Sequence, residues 1–324
     1  MSDREKKKKH ANAVFEGGGV KGIGIAGALS VAGQLYEWDY VAGTSAGAII
    51  AALVAAGYTS DEIKDMVFSI DYKRFEDSDL LTNMPILGPL IKLKFELGIY
   101  KGDYIEKWIK EKLKEKGIEK FGDLVVAKES SNNQGRYRLQ VIASDITTGK
   151  LLILPQDIVN YGIHPDYLEV ARAIRMSISI PFFFRPVSLK YTGADAEQHL
   201  SYIVDGAVLS NFPVWIFDTD TGRDSVPTFG FKLIGPEQGR PNEINGPFSM
   251  LKALFNTMMD AHDNRFIEEK NFDRTIAIPT MGIGTADFGV SRKKMTELYF
   301  SGVSAAENFF NGWDYQRYLI KHTK

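Results

Sequence analysis

The chain of 324 residues contains no cysteine. This absence excludes disulfide bonds, a thiol nucleophile and any metal centre with cysteine ligands. A cysteine-free composition suits a reducing compartment, and we predict a cytoplasmic location, although an exported chain can also lack cysteine.

An excess of charge of one sign is also missing. The chain has 39 basic and 41 acidic residues, which gives a formal net charge of -2. Recognition of nucleic acid depends on basic surfaces. The balance of charges gives no overall electrostatic reason to expect nucleic acid as a partner. We therefore expect no nucleic-acid partner.

Long apolar runs are the third absence. No run approaches the ~20 residues that a membrane-spanning helix needs, and the N-terminus lacks the apolar segment of a secretory signal peptide. Residues 1–11 include the run Lys6 to Lys9, and we predict a flexible, solvated tail there. Such a tail can also dock on an anionic membrane, at about 1 kcal/mol per lysine. Any contact with lipid is therefore predicted to be peripheral.

The rest of the chain, residues 12–324, is predicted to form one domain, because 44% hydrophobic residues can bury one large core. From Ala11 the order is strand, glycine turn and helix, and it occurs twice in succession. This order is typical of parallel βαβ units and predicts an α/β fold. The predicted strands cover residues 13–15, 40–42, 138–143, 150–154, 201–204, 227–233 and 275–278, and the predicted helices cover 22–35, 48–56, 103–117, 170–177, 248–269 and 293–310.

An apolar segment at residues 75–100 departs from this pattern. Pro85, Gly88 and Pro89 interrupt it, so a regular helix is not expected there. The segment predicts an insertion that serves either as a packed cap or as a mobile lid. The helix that follows is predicted to open with a capping box made by Asp103 and Glu106.

Residues 43–47, with the sequence GTSAG, fit the pattern G-x-S-x-G. In this motif a serine is presented on a tight turn between a strand and a helix, and the flanking glycines leave room for neighbouring backbone. An apolar strand precedes Ser45 and an alanine-rich helix follows it, which is the context that the motif requires. Ser45 is therefore the candidate nucleophile, and the alternative is an ordinary serine N-cap.

The glycine-rich residues 17–22, GGGVKG, follow the first predicted strand. A turn of this kind lets backbone N–H groups converge, and the next helix adds positive potential at its N-terminus. A nucleophilic serine needs such donors to hold an oxyanion. We expect Gly18 and Gly19 to donate their N–H groups and Gly17 to shape the turn.

The same six residues also match the dinucleotide-binding pattern G-x-G-x-x-G. Asp39 lies near the spacing expected for an acid that binds ribose. It precedes the second predicted strand, however, whereas the ribose acid belongs at that strand's C-terminal end. A dinucleotide-binding protein stays an alternative, and it leaves the GTSAG turn unexplained.

Asp205 is the candidate base for Ser45. The apolar strand at residues 201–204 runs directly into Asp205-Gly206-Ala207, so a carboxylate stands at a strand end beside residues too small to block it. An isolated Asp-Gly pair is more often a turn. The pattern gains meaning only together with the two glycine-rich motifs.

These three motifs in this order resemble the patatin-like phospholipases. The stretches ASDITTGK and ARAIRMSISIPFFFRPV resemble that family too, so the resemblance covers residues 12–215 well and the last hundred weakly. It implies a three-layer α/β/α domain with a mainly parallel sheet. It also implies that Ser45 is the nucleophile, Asp205 the base and Gly17 to Gly19 the oxyanion loop. The third position of the Asp205 motif is often glycine in the family, whereas this chain has Ala207.

The function implied by this resemblance is hydrolysis of fatty-acyl esters in phospholipids or related lipids, of the phospholipase A or lysophospholipase type. The reaction passes through a serine acyl-enzyme and requires no cofactor and no metal. The expected partner is a lipid substrate at a membrane or micelle surface, and no oligomeric state is predicted. The cap segment and Phe182 to Phe184 are expected either to form an apolar rim that meets acyl chains or to belong to the core.

Two alternatives use the same residues differently. One is an α/β-hydrolase-type esterase in which Ser45, Asp205 and His262 form a triad in the usual chain order. The other is a catalytically silent lipid-binding or effector protein that keeps the fold, which loss of either Ser45 or Asp205 would favour. We expect Ser45 and Asp205 to be exposed positions outside the core. A lone aspartate base starts from a pKa of about 3.9 and, even when burial raises that pKa by about a unit or more, is expected to stay active to lower pH than a histidine base.

Replacement of histidines separates the dyad from the triad. We expect His164→Ala, His199→Ala and His262→Ala, made singly, each to keep kcat/KM for a fatty-acyl ester within about tenfold of wild type, which is ~1.4 kcal/mol in the barrier. Loss of a triad histidine costs several orders of magnitude. A collapse of activity in His262→Ala with an intact fold would assign the triad instead.

Overall fold

The structure is a computed structural model that describes part of the chain. The described residues are 8–75, 96–126, 137–193, 195–218, 226–235, 244–246, 249–250, 253–254, 257, 269–285 and 287–322. Residues 1–7 of the predicted tail and most of the predicted cap and of the helix at 248–269, including His262, lie outside the described residues.

The described elements alternate between strands and helices in the manner of an α/β protein. The strands are β1 (Lys9–Phe15), β2 (Tyr36–Thr44), β3 (Gly98–Tyr100), β4 (Leu139–Asp145), β5 (Lys150–Leu154), β6 (Phe182–Phe184), β7 (Val187–Thr192), β8 (Gln198–Asp205), β9 (Thr228–Ile234) and β10 (Thr275–Pro279). The helices are α1 (Gly22–Leu35), α2 (Ala46–Ala55), α3 (Ser60–Ser69), α4 (Asp103–Glu115), α5 (Val170–Ser177), α6 (Arg292–Gly312) and α7 (Tyr315–His322).

The central sheet has the strand order β10-β9-β1-β2-β4-β8-β7, with β5 also paired to β4. Its first five strands are parallel neighbours, whereas β5, β7 and β8 join by antiparallel pairing. The predicted α/β fold with a mainly parallel sheet is confirmed. β3 and β6 form a separate two-stranded sheet.

Helix α1 packs closely on α6 because small residues face the contact. A Cβ on Gly27 would lie 1.9 Å from the Tyr299 carbonyl oxygen, and a Cβ on Gly302 would lie 1.9 Å from the Gly24 carbonyl oxygen. One continuous apolar core contains members from Ala11 to Ala306. The N-terminal and C-terminal parts of the described chain therefore share one core.

Several boundaries differ from the prediction. The predicted tail at 1–11 is too long, because Lys9 already pairs with Tyr36 and begins β1. The capping box at Asp103 is wrong: Gly102, at φ 76°, precedes the helix, and no side chain caps it. A Cβ on Gly102 would lie 2.6 Å from Arg175 Nε, so the close approach of that side chain also favours glycine.

The C-terminal ends of β2 and β8 meet on one edge of β4. Parallel pairing of β2 with β4 aligns Thr44 with Ile142. Antiparallel pairing of β8 places Asp205 opposite Ala143, the next residue along β4. Because β5 fills the other edge of β4 over this stretch, β2 and β8 share the same edge and point at each other. Thr44 and Asp205 are thereby neighbours.

Among the described residues no helix combines the length and the apolar character that crossing a membrane requires.

Candidate active site

Ser45 occupies the turn between β2 and α2. Its backbone has φ 54° and ψ -127°, a strained combination for a residue with a side chain. The turn is tight enough that a Cβ on Gly43 would lie 2.3 Å from the Gly47 carbonyl oxygen, and one on Gly47 would lie 2.2 Å from the Phe15 carbonyl oxygen. The two flanking glycines are therefore needed for the turn, as the sequence motif predicts.

The strained turn is held by a hydroxyl from α5. The Ser45 N–H donates to Ser177 Oγ at 2.9 Å, and Ser177 Oγ donates to the Ile142 carbonyl at 2.5 Å. On the other side, Thr44 Oγ1 donates to the Ser210 carbonyl at 3.1 Å. Because Ser177 takes the Ser45 N–H, this amide is not a donor for the oxyanion.

Asp205 ends β8 in a fully buried position. Its backbone N–H donates to the Ser179 carbonyl at 2.9 Å, and its Oδ1 accepts the Ala207 N–H at 2.9 Å. Its Oδ2 is buried and, within the described residues, receives no hydrogen bond of good geometry. An acceptor is thus available on the carboxylate at the end of β8 that meets the Ser45 turn.

The environment of this carboxylate strongly alters its acidity. Burial raises the pKa of Asp205 to about 7, while the Ala207 N–H and the Ser45 side chain act in the opposite direction. The expectation that the two residues are exposed is wrong, because Ser45 is 5% exposed and Asp205 is 0% exposed. The rise in the pKa of Asp205 has the cause that the sequence analysis names, which is burial.

The glycine loop lies beside Ser45. A Cβ on Gly17 would lie 3.0 Å from Ser45 Cβ, and the Gly17 N–H is already used, donating to the Asn211 carbonyl at 3.3 Å. Gly19 has φ 56° and rests on the Thr285 carbonyl. Within the part of the chain that the structure describes, the N–H groups of Gly18 and Gly19 donate no hydrogen bond. Both N–H groups are therefore free to donate to a bound anion.

The structure therefore brings together Ser45, Asp205 and the loop of Gly17 to Gly19. Four histidines lie in the described chain, and each is paired with an aspartate other than Asp205. The pairs are His10 with Asp39, His164 with Asp166, His199 with Asp195 and His322 with Asp273. In the described ranges, no three histidine, cysteine, aspartate or glutamate side chains are grouped to hold a metal ion.

The dinucleotide alternative is not supported by the position of its acid. Asp39 lies in the first half of β2 and bonds His10 at 2.6 Å, near the start of β1. The glycine loop follows the other end of β1. Asp39 lies level with the middle of β1, several residues before the glycine loop, and not at the C-terminal end of β2 where a ribose-binding acid belongs.

Sequence reasoning missed the residues that hold the site. Ser177 bonds to the backbone of Ser45, Ser179 to the backbone of Asp205, and Asn211 to the glycine loop. Ser177 and Ser179 fall in the stretch ARAIRMSISIPFFFRPV, which carried the family resemblance without a residue role. The available signal was a cluster of small polar residues in an otherwise apolar stretch.

Comparisons with known proteins agree with this architecture. The sequence profile of the family described as "Patatin-like phospholipase" matches residues 13–218. The chain is 41% identical to the uncharacterized protein YqhO of Bacillus subtilis over 309 residues, which are 94% of this chain and 100% of that protein. It is 27% identical to the probable lipid hydrolase 463L of Invertebrate iridescent virus 6, over 64% of this chain and 63% of that protein.

Among solved structures, VipD from Legionella pneumophila is similar in fold. It superposes with a TM-score of 0.52 at 19% identity, over 94% of this chain and 67% of that chain. At this level of identity the similarity concerns the fold alone.

The role of Ser177 can be tested through the reactivity of Ser45. We expect Ser177→Ala to slow labelling of Ser45 by a fluorophosphonate by about tenfold or more, because the strained N–H of Ser45 loses its acceptor. Ser177→Thr keeps the hydroxyl and should restore most of the rate. The control is Ser201→Ala, which removes another buried hydroxyl from β8. Equal labelling rates in Ser177→Ala and Ser201→Ala would contradict this role.

Proposed function

The chain belongs to the patatin-like phospholipase family, and from this premise we propose that it hydrolyses fatty-acyl esters of phospholipids or related lipids. Ser45 is the nucleophile, Asp205 is its base, and the N–H groups of Gly18 and Gly19 bind the oxyanion. The observation that carries the proposal is the meeting of β2 and β8 on one edge of β4, which sets the Ser45 turn against a buried carboxylate.

In the first half of the reaction, Asp205 Oδ2 takes the hydroxyl proton of Ser45 while Ser45 Oγ attacks the ester carbonyl carbon. The carbonyl oxygen becomes an oxyanion that accepts the N–H groups of Gly18 and Gly19. The intermediate collapses to an acyl-serine ester. The leaving alcohol departs with the proton from Asp205.

In the second half, a water molecule replaces the alcohol. Asp205 accepts one proton from this water as its oxygen attacks the acyl carbon, and the same N–H groups hold the new oxyanion. The bond between the acyl carbon and Ser45 Oγ then breaks, and the proton returns to Ser45. The fatty acid is released and both side chains regain their starting states.

A rim beside the site fits an apolar substrate in part. Phe182 is 41% exposed and has φ 69°, whereas Phe184 is buried in the core. Phe183 is partly buried and packs on Tyr100, with ring centroids 4.8 Å apart. We propose that Phe182 and Phe183 contact the acyl chain at a membrane or micelle surface. Of the two alternatives for these phenylalanines, rim or core, Phe184 follows the core alternative.

The proposal extends to the organisation and location of the chain. The large apolar core that contains members from Ala11 to Ala306 supports one domain built around this site. A cytoplasmic location with peripheral membrane contact stays a prediction from composition. The cap or lid that the sequence predicts at 75–100 lies for the most part outside the described residues.

Removal of each member of the dyad tests the proposal directly. We expect Ser45→Ala and Asp205→Asn each to lower kcat for a fatty-acyl ester by several orders of magnitude, because each removes a group that the chemistry requires. The measurement is hydrolysis across a panel of lipid esters. Turnover near the wild-type rate in either variant would contradict the assignment of the dyad. If the wild-type protein hydrolyses no lipid in the panel, a catalytically silent lipid-binding protein is favoured.

The effect of pH follows from the buried position of Asp205. The carboxylate must be ionised to accept a proton, so kcat/KM should fall about tenfold per pH unit below the pKa of about 7. This fall in kcat/KM occurs in the pH range expected for a histidine base. The sequence-based expectation of activity at lower pH is therefore not retained. A plateau that continues to about pH 5 would contradict a buried Asp205 base.

Stability should respond to the same carboxylate. The unfolded chain loses this proton near the ordinary aspartate value and the folded chain only near pH 7, so the folded state is penalised increasingly as pH rises between the two. Since each pKa unit is about 1.4 kcal/mol, the penalty approaches ~4 kcal/mol. The Tm of Asp205→Asn relative to wild type should therefore rise from pH 5 to pH 8. A difference that does not depend on pH would contradict the raised pKa.

A further inference from the structure

A buried acid stands directly before the glycine loop. Glu16 follows the last residue of β1, precedes Gly17, and is 1% exposed. Its Oε1 lies 3.5 Å from Lys232 Nζ on β9, and the Lys232 side chain is 4% exposed. Burying two charges lowers the stability of the fold unless both form good hydrogen bonds or ion pairs. The presence of this buried pair therefore calls for a structural explanation.

The hydrogen bonds of β1 and β9 give that reason. The Glu16 N–H still follows the parallel ladder, donating to the Phe231 carbonyl at 3.1 Å. In a regular parallel ladder the next donor, the Leu233 N–H, would bond the backbone carbonyl of Glu16. It donates instead to Oε2 of the Glu16 side chain. The carboxylate thus takes the place of the residue's own carbonyl.

The backbone carbonyl released in this way is turned toward the nucleophile. A Cβ on Gly47 would lie 2.6 Å from the Glu16 carbonyl oxygen, which places that oxygen against the start of α2. The chain can therefore leave the sheet at Glu16 and enter the glycine loop while the Leu233 N–H keeps an acceptor. A buried N–H without an acceptor would destabilise this exit from the sheet.

Asn211 links the same group to the segment of the base. Its side-chain Nδ2 donates to the Gly17 carbonyl at 3.3 Å and lies 3.5 Å from Glu16 Oε1. The backbone carbonyl of Asn211 accepts the Gly17 N–H. Asn211 follows Asp205 by six residues on the chain. The glycine loop is therefore fixed by Glu16 on one side and by the Asp205 segment on the other.

We propose that Glu16 is a positioning residue that turns the chain out of β1 into the oxyanion loop, and that Lys232 balances its buried charge. The inference rests on the proposed function, because it assigns Glu16 to the placement of the Gly18 and Gly19 N–H groups. Such placement acts on the transition state more than on substrate binding. Its loss therefore lowers kcat and leaves KM nearly unchanged.

Two double variants isolate the acceptor from the charges. Glu16→Gln/Lys232→Met and Glu16→Leu/Lys232→Met both remove the ion pair, but only glutamine keeps an oxygen for the Leu233 N–H. Loss of one oxyanion donor costs about 100-fold to 1000-fold in kcat, so we expect the leucine variant to be at least about tenfold below the glutamine variant in kcat. KM should agree within about threefold between the two.

Amide hydrogen exchange gives a readout that does not require turnover. Peptides covering residues 16–22 should exchange faster in the leucine variant than in the glutamine variant, while peptides from α6 exchange alike in both. If glutamate cannot be replaced by leucine without unfolding, Glu16→Met/Lys232→Met makes the same comparison. Wild-type turnover no greater than that of Ser45→Ala would refute the proposed function, and the exchange would still decide the role of Glu16.

The control removes an ion pair at the other end of the sheet. Arg274 Nη1 lies 2.5 Å from Asp218 Oδ1 just before β10 begins, so Asp218→Asn/Arg274→Met should lower Tm without changing kcat. Equal kcat and equal exchange in the two Glu16 double variants would overturn the proposal. So would a loss of kcat in the control variant as large as that in the leucine variant.

Discussion

The shared edge of β4 is the constraint on which the site depends. A parallel strand and an antiparallel strand occupy the same edge, and their C-terminal ends meet between Ile142 and Ala143. Each strand must stop there and turn away, and the residues at the two turns are Ser45 and Asp205. Ser45 and Asp205, the proposed dyad, thus come together by strand register alone, without a long loop. The same junction explains why both are buried, since a strand end inside a sheet is covered by its neighbours.

Burial has opposite effects on stability and on the chemistry. It removes water from the Asp205 carboxylate and makes it a stronger base than a solvated aspartate, at a cost to the folded state. The strained backbone of Ser45 is a second local cost. Both are tolerated because hydrogen bonds from Ser177 and Ser179 hold the two turns to each other and to β4. The strained and buried groups are those that the proposed reaction uses.

The sequence predicted the parts of the site that are local. Glycines at fixed spacing identified the turn of Ser45 and the loop of Gly17 to Gly19, because tight turns restrict which residues fit. The helices at 22–35 and 170–177 were predicted with their observed bounds, since small or apolar residues run to clear ends. Burial of Asp205, the role of Ser177 and the bonding of Glu16 could not be predicted, because they depend on which strands become neighbours. That pairing joins residues more than 100 positions apart.

Direct capture of the acyl-enzyme tests the account most closely. The protein would be mixed with a nitrophenyl ester of a fatty acid, quenched in acid within the first turnover, digested and examined by mass spectrometry. The account predicts a fatty-acyl adduct on the peptide that contains Ser45, and no adduct in Ser45→Ala. An adduct on another residue, or hydrolysis by Ser45→Ala at the wild-type rate, would contradict it.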